Sequence, residues 1–443
     1  MVIPVRTTYG VCPVCLKRLP AEIVRRNREY FLEKTCCDHG RFSTVVWRGD
    51  NPSFEQWGNY VPPPESGDLQ PDCPNACGLC PDHLQETCCV VIEVTKRCNL
   101  NCPYCFAQSG GESMGPSVEQ LSGCFRQLVK DGRTFIHLSG GEPTVRDDLP
   151  DIVAAAKAAG CENIQLNSNG IRLGEDSAYA KALADAGLSF VFMQFDGTED
   201  AIYEKLRGRP MLAEKRAAIK ACSDALLGVT LVPTIVPGVN EHNIGEILNF
   251  GFSNSPAVRG VHFQPVSYFG RHPRPPGNED RITLPEVLDA IERQTGGTVK
   301  TTDLVASSCD HPRCGFHGDF VVLPDALIQL TPKAKSCSCS QDDGRAHLRS
   351  RSFIARRWKR TAANSGEECC GPNDYNNLEQ FIGRVKSHGF TITAMAFQDA
   401  YTLDIERLRR CSLHVYRDGR TIPFCARYLT GESDQCPVTR EGK

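Results

Sequence analysis

Three thiols, Cys98, Cys102 and Cys105, stand in "TKRCNLNCPYCFA", residues 95–107, at a three-then-two spacing with no fourth in the same stretch. A structural zinc site takes four tetrahedral ligands, commonly from two knuckles. Three cysteines on one short loop can instead hold three irons of a [4Fe–4S] cube and leave the last iron open to an outside ligand.

Other thiols offer other chemistry. "CPNACGLCPDH" repeats the spacing with Cys73, Cys77 and Cys80, which reads as three ligands of an auxiliary [4Fe–4S] cluster awaiting a fourth cysteine, or as a zinc knuckle. "VCPVC" and "TCCDHG" provide Cys12, Cys15, Cys36, Cys37 and His39, two knuckles suited to one zinc or one rubredoxin-type iron. Cys309, Cys314, Cys411 and Cys425 are candidate ligands for further clusters, with Cys337, Cys339, Cys369, Cys370 and Cys436 weaker candidates. Cys124, Cys161 and Cys222 fall in predicted helices, where a free cysteine packs as a small hydrophobe.

The chain has 443 residues and 24 cysteines. It starts without an apolar leader and contains no run long enough to span a bilayer, so a cytoplasmic location is expected. Thiols there stay reduced, which favours metal or catalysis over a disulfide framework. The net charge of -3 provides no basic field for nucleic acid, and no nucleic-acid partner is expected.

Three regions must position these groups. Residues 1–89 read as a loop-rich, metal-organised module. Residues 90–296 alternate strand-length and helix-length patterns six times, from "VVIEVTKRC" and "SVEQLSGCFRQLVKDG" to "VHFQPVS" and "LPEVLDAIERQ". That α/β alternation predicts a parallel sheet with helices outside, as an open sheet or an incomplete barrel. Polar, glycine-rich segments follow the strands in "SGGEP", "NSNG", "QFDG" and "QPVSYFG", and should converge at the carboxyl ends of the strands. Residues 297–443 form a mixed, cysteine-bearing module expected over the barrel mouth.

The three-cysteine motif, with Tyr104 before its last cysteine, resembles that of the radical S-adenosylmethionine (SAM) superfamily, as does its place after the first strand. The resemblance implies a partial (β/α)6 barrel. It also implies a [4Fe–4S] cluster whose open iron is chelated by SAM, and reductive cleavage of SAM to a 5'-deoxyadenosyl radical that takes a hydrogen atom from substrate. Gly140, Gly141, Glu142 and Pro143 match the segment that supports the SAM amino group; the glycines allow close backbone approach and the carboxylate can accept from an ammonium. Ser168 and Asn169 match positions near the SAM ribose and carboxylate, and Gln194, Asp196 and Val232 positions near its adenosine.

The ordered set from "CPVC" to "FQPVSYFGR" is similar to the group that holds tetraether lipid synthase and relatives labelled 7,8-dihydro-6-hydroxymethylpterin methyltransferases. Carbon–carbon coupling of lipid alkyl chains is the first expectation from that likeness, and radical methylation of a pterin precursor the second. A hydrophobic lipid or small-molecule substrate and an electron donor such as flavodoxin or ferredoxin are the implied partners. A non-catalytic iron–sulfur electron-transfer or scaffold protein is the reading from another class. "RSRSFIARRWKR", residues 349–360, suits either a peripheral membrane contact through anionic headgroups or a solvated basic helix face.

Overall fold

The computed structural model describes residues 2–58, 73–75, 77–331, 346–360 and 378–432. Cys337, Cys339, Cys369, Cys370 and Cys436 lie outside them. The region expected to be loop-rich begins instead with an antiparallel sheet of four sequential strands, Val2–Val11 (β1), Arg18–Arg26 (β2), Glu29–Cys36 (β3) and Gly40–Arg48 (β4). "AEIV", "YFL" and "STVVW" carry the β-branched and aromatic residues that pack well on a pleated face. Tyr30 and Trp47 are buried, with Phe54 stacked 4.6 Å from Tyr30.

The six expected strand–helix repeats are present. Strands Cys89–Thr95 (β5), Phe135–Gly140 (β6), Asn163–Ser168 (β7), Phe190–Gln194 (β8) and Gly228–Val232 (β9) run parallel in sequential order. A short strand, Thr234–Ile235 (β10), pairs with Val258–Pro265 (β11), which lies beside β9. Helices Val118–Lys130, Leu149–Ala159, Ser177–Asp185, Leu212–Asp224, Ile244–Ser253 and Leu284–Gln294 cover the outside. The first starts at a capping box between Ser117 and Gln120, and the second stops at Gly160, whose φ of +101° suits a left-handed cap. Leu138, Ile164 and Leu231 are fully buried between strands and helices, each contributing about 2 kcal/mol of transfer free energy.

The C-terminal region extends this sheet at both edges. It contributes Val305–Ala306 (β12), Gly315–Val322 (β13), Leu327–Gln329 (β14), Gly389–Met395 (β15), Leu413–Arg417 (β16) and Arg420–Pro423 (β17). β15 joins β11 and β16 joins β5, both in parallel, while β13 and β17 pair antiparallel outside them. The two edges then meet, because Asp310 Oδ1 accepts from Ser412 N at 2.7 Å and from Ser412 Oγ at 2.8 Å.

The basic segment is only partly an outward face, with Arg349 and Arg356 exposed and Arg351 buried. It forms the helix Ala346–Trp358, which closes the amino end of the barrel. Trp358 is buried beside Phe190 and Phe192 and donates Nε1 to Thr391 Oγ1 at 2.8 Å. Arg351 donates to the carbonyls of Thr87, Cys88 and Gly132, and Arg357 pairs with Asp319 at 2.5 Å. The headgroup-binding expectation is therefore corrected at these residues: they satisfy carbonyls and a carboxylate inside the fold, which would otherwise be desolvated without partners. Among the described residues no helix is long and apolar enough to cross a membrane.

The N-terminal sheet is fastened to the barrel. Arg48 donates to the carbonyls of Arg281 and Asn278 at 2.7 and 2.6 Å. Lys34 is buried against the carbonyls of Ala400 and Tyr401, and that burial pulls its ammonium down to about 7.

Candidate active site

A cavity of about 630 Å³ extends from the Cys98–Cys105 loop, at the carboxyl ends of the strands, down to Trp358. Cys98, Cys102 and Cys105 border it at the upper end. Two backbone bonds press the next strand end onto this loop: Gly141 N donates to Thr95 O and Glu142 N to Arg97 O, each at 2.8 Å. A Cβ at Gly140 would lie 2.1 Å from Thr95 O, and one at Gly141 would lie 2.1 Å from Arg97 O. The close approach requires glycine at both positions.

Glu142, 2% exposed, ties three strand ends together. Its Oε1 accepts from Thr144 N, Thr144 Oγ1 and Ser168 Oγ at 3.1, 2.7 and 2.8 Å, and its Oε2 accepts from Asn169 N at 2.6 Å. Burial raises its pKa above the usual carboxylate range, against the pull of these donors. Oε2, with one internal donor, keeps acceptor capacity for an ammonium. Asn169 Nδ2 reaches back to Asn99 Oδ1 at 2.7 Å and so holds the third strand end to the cysteine loop.

Ser168, Asn169, Gln194 and Val232 also border the cavity. Pro143 and Asp196 are not among the residues that border it. Pro143 opens a buried 3-10 turn, where its fixed φ suits the first position. Asp196 is fully buried behind the wall, where it holds Arg207 through two hydrogen bonds. Arg207, which the sequence reading passed over, lines the cavity and contacts Cys102. Burial opposes its charge, but Asp196 and then Cys102 outweigh that cost and raise its pKa.

Lys215 is another missed residue, fully buried, donating to Asn169 O and to Gln194 Oε1 at 2.8 Å. Burial draws its ammonium down to about 7. Both cations sit on helices outside the strand-end loops, where no local motif marks them.

The donor set fits a [4Fe–4S] cluster with SAM. Three thiols come from one loop, a glycine cradle lies against that loop, and Glu142, Ser168 and Asn169 stand beside it. With those groups bound, the centre supplies one-electron reductive cleavage of the sulfonium, which yields a radical able to take hydrogen from an unactivated C–H bond.

Elsewhere the structure regroups the cysteines. Ligand atoms of Cys12, Cys15, Cys36 and His39 all lie within 4.8 Å of one another, three sulfurs and one nitrogen placed as a tetrahedral metal site needs them. His39 Nδ1 is 3.6 Å from Cys12 Sγ and 3.5 Å from Cys36 Sγ. His39 takes the place expected for Cys37, which is exposed and turned toward Asp38, although Cys36, Cys37 and Asp38 also lie close enough to form a smaller set.

Cys77 sits against Cys73, and that contact, burial, and the nearby Cys80 and Cys411 all raise its pKa. Cys411, from the far end of the chain, is thus within reach as a fourth thiol. Cys411 also faces Asp310, Cys425 and Cys314, so it stands between two groups of candidate ligands. Cys309 instead contacts Cys88, a buried residue just before β5 that the sequence reading did not single out. Cys222 is buried inside its helix, Cys124 is half-buried, and Cys161 lies just beyond its predicted helix rather than in it.

The Radical SAM superfamily profile matches residues 92–251, and the HMPTM N-terminal zinc ribbon domain matches residues 4–48. The chain is 33% identical over 474 aligned residues to 7,8-dihydro-6-hydroxymethylpterin dimethyltransferase of Methanocaldococcus jannaschii, covering 95% of this chain and 92% of that protein. It is 32% identical to a probable GTP 3',8-cyclase of Methanothermobacter thermautotrophicus over 164 residues, 36% of this chain and 52% of that one. Among solved structures, Streptococcus suis SuiB is similar over 48% of this chain and 46% of its own, at 15% identity and a TM-score of 0.41. Near full-length identity, including the zinc ribbon, joins the three-cysteine loop and its strand-end cradle in one conclusion: this chain belongs to the radical SAM superfamily, in the group of the 7,8-dihydro-6-hydroxymethylpterin dimethyltransferase.

Proposed function

We propose that this radical SAM enzyme methylates carbon on a reduced, pterin-type heterocycle: the 5'-deoxyadenosyl radical from one SAM removes the hydrogen atom from that carbon, and a second SAM, taking one electron from the reductant, gives its methyl group and leaves as S-adenosylhomocysteine. The observation that carries the reading is the 33% identity over 95% of the chain to the dimethyltransferase, zinc ribbon included. It reverses the order of the two expectations from sequence, in which coupling of lipid alkyl chains came first. Arg351 and Arg357 of the basic helix also face inward, which weakens the surface feature that favoured lipid.

In this reading the Cys98–Cys105 loop, Glu142 and Asn169 hold SAM at the upper end of the cavity. Substrate lies below it, between Gln194 and Trp358, so that one C–H bond faces the cleaved sulfonium. Trp358 and Phe192 exclude water from the lower end, which protects a radical from side reactions.

The test is anaerobic incubation of the reconstituted enzyme with SAM, flavodoxin or dithionite, and 7,8-dihydro-6-hydroxymethylpterin, in parallel with an archaeal diether lipid. Mass spectrometry should find a methylated pterin together with 5'-deoxyadenosine. A coupled-chain lipid and an unchanged pterin would sink the reading. Changing Cys98 to alanine should abolish 5'-deoxyadenosine, whereas C222A should cost only packing, on the order of 1 kcal/mol.

A further inference from the structure

Halfway down the cavity, one layer of the barrel carries polar side chains that neither SAM nor the cluster loop uses. His137 on β6, Phe192 on β8, His262 on β11 and Thr393 on β15 border the cavity, and Gln165 on β7 lies behind His137. Gln165 is fully buried, and its Nε2 donates to His137 Nδ1 at 3.2 Å and to Asn167 Oδ1 at 2.9 Å. Both amide hydrogens are spent in this way. Gln165 Oε1 is left as a buried acceptor with no donor among the described residues.

His137 is complementary. Its Nδ1 accepts from Gln165, which puts the ring proton of a neutral imidazole on Nε2, and Nε2 is buried with no acceptor. Burial draws both His137 and His262 down to about 3, so both rings are neutral at physiological pH. His262 Nδ1 is held at 2.8 Å by Thr393 Oγ1. Phe192 lies between the two imidazoles, with centroids 6.2 Å from His137 and 5.2 Å from His262, and Trp358 lies 4.9 Å below it.

Buried polar groups in native proteins almost always have partners, and the His137 Nε2 donor on the cavity wall, its tautomer set by Gln165 behind it, asks for a ligand that presents an acceptor. An alkyl chain cannot do so. A carboxylate or phosphate would meet two uncharged rings in this layer, since the arginines that border the cavity, Arg207 and Arg349, stand on helices and not on these strands. A flat, neutral heterocycle with ring nitrogen, amino and carbonyl groups on one edge satisfies that donor and lies against Phe192 and Trp358.

We infer that His137 and Gln165, backed by His262, Phe192 and Trp358, form the subsite that reads the hydrogen-bonding edge of a neutral bicyclic heterocycle and so determines substrate specificity. The inference deepens the function proposed above and rests on it for the choice of a pterin.

The probe is 7,8-dihydro-6-hydroxymethylpterin, with guanosine as a second neutral heterocycle, measured by anaerobic equilibrium dialysis against the iron-loaded enzyme with SAM. H137F and Q165L should each weaken pterin binding at least tenfold, and H137Q, which keeps a donor near Nε2, should recover most of it. Iron content and melting midpoint of each variant report that it has folded. Wild-type affinity in H137F and Q165L overturns the subsite while leaving the pterin function standing. If the wild type ignores the pterin yet binds guanosine in a His137- and Gln165-dependent way, the pterin reading falls and the subsite stands. Binding of neither heterocycle overturns the subsite.

Discussion

Arg207 donates Nε to Asp196 Oδ2 at 2.6 Å and Nη2 to Asp196 Oδ1 at 2.8 Å, in a pair closed off from solvent, while the guanidinium also meets Cys102. The carboxylate thus acts on the cysteine loop at one remove, by aiming a cation. D196A leaves that cation buried without a counter-charge and should destabilise the protein by about 3–5 kcal/mol, whereas D196N, which keeps the shape and one acceptor, should cost less. Anaerobic urea unfolding measures both. A loss under about 1 kcal/mol in D196A would show that Arg207 finds another partner.

Metal at the N-terminal site should follow His39 and not Cys37. C36A and H39A should each drop bound zinc from one per chain toward none, and C37A should keep it, because the converging atoms are those of Cys12, Cys15, Cys36 and His39. Elemental analysis of the purified variants decides this. Zinc loss in C37A alone would overturn the assignment.

Cys411 should matter for iron although the whole barrel separates it from Cys80 along the chain. Its electrostatic influence on Cys77 makes it the candidate fourth ligand for the Cys73, Cys77 and Cys80 group. C411S should lower iron by about four per chain, the content of one cube, and leave SAM binding in place. Unchanged iron and sulfide would exclude Cys411 as an obligatory ligand.

Gly140 has little room to change. A methyl group would fall 2.1 Å from Thr95 O, and φ of +131° already disfavours an L side chain. G140A should separate the strand end from the cysteine loop, cost about 1–3 kcal/mol in backbone strain and abolish 5'-deoxyadenosine formation. G123A, where nothing lies within 4 Å of the added carbon and the site is helical, is the control and should be neutral or slightly stabilising. Cleavage at the wild-type rate in G140A would refute the cradle.

Stability should fall in acid through the barrel histidines. Burial holds His137 and His262 at about 3 when folded, below the ordinary 6.5, so the unfolded chain takes up protons first as pH drops. Their contribution is fully present above about 6.5 and is lost progressively between 6.5 and 3, roughly 1 kcal/mol for each ring between pH 6.5 and 5.5. Denaturant unfolding at those two pH values should show this difference, and H262F should flatten it by one ring's share. A slope unchanged by H262F would mean that the ring is charged or solvated in the folded state.

The barrel was legible because its signals are local. Hydrophobic runs of strand and helix length alternate six times, and "SGGEP" and "NSNG" fall where β6 and β7 end, so the Cys98–Cys105 loop, Gly140, Glu142, Ser168 and Asn169 are brought together much as their order suggests. The N-terminal sheet was missed because cysteine knuckles and turn residues interrupt β1 to β4 and conceal the β-branched stretches between them. The buried settings of Pro143 and Asp196 were not legible for another reason: proximity to a motif in sequence does not say which side of a strand end a residue takes.

The sequence by itself determined the chemistry at the three-cysteine loop, since ligand count and spacing are properties of a few adjacent residues. Only the tertiary structure decided the partners. β15 and β16 add to opposite edges of the sheet and bring those edges together, which carries Cys309 to Cys88 and Cys411 to Cys77. The same closure turns the basic helix inward, while the register of β6 on β7 sets His137 beside Gln165. Contacts between distant segments depend on strand pairing and register, and those are set by burial across the whole core rather than by any one stretch of chain.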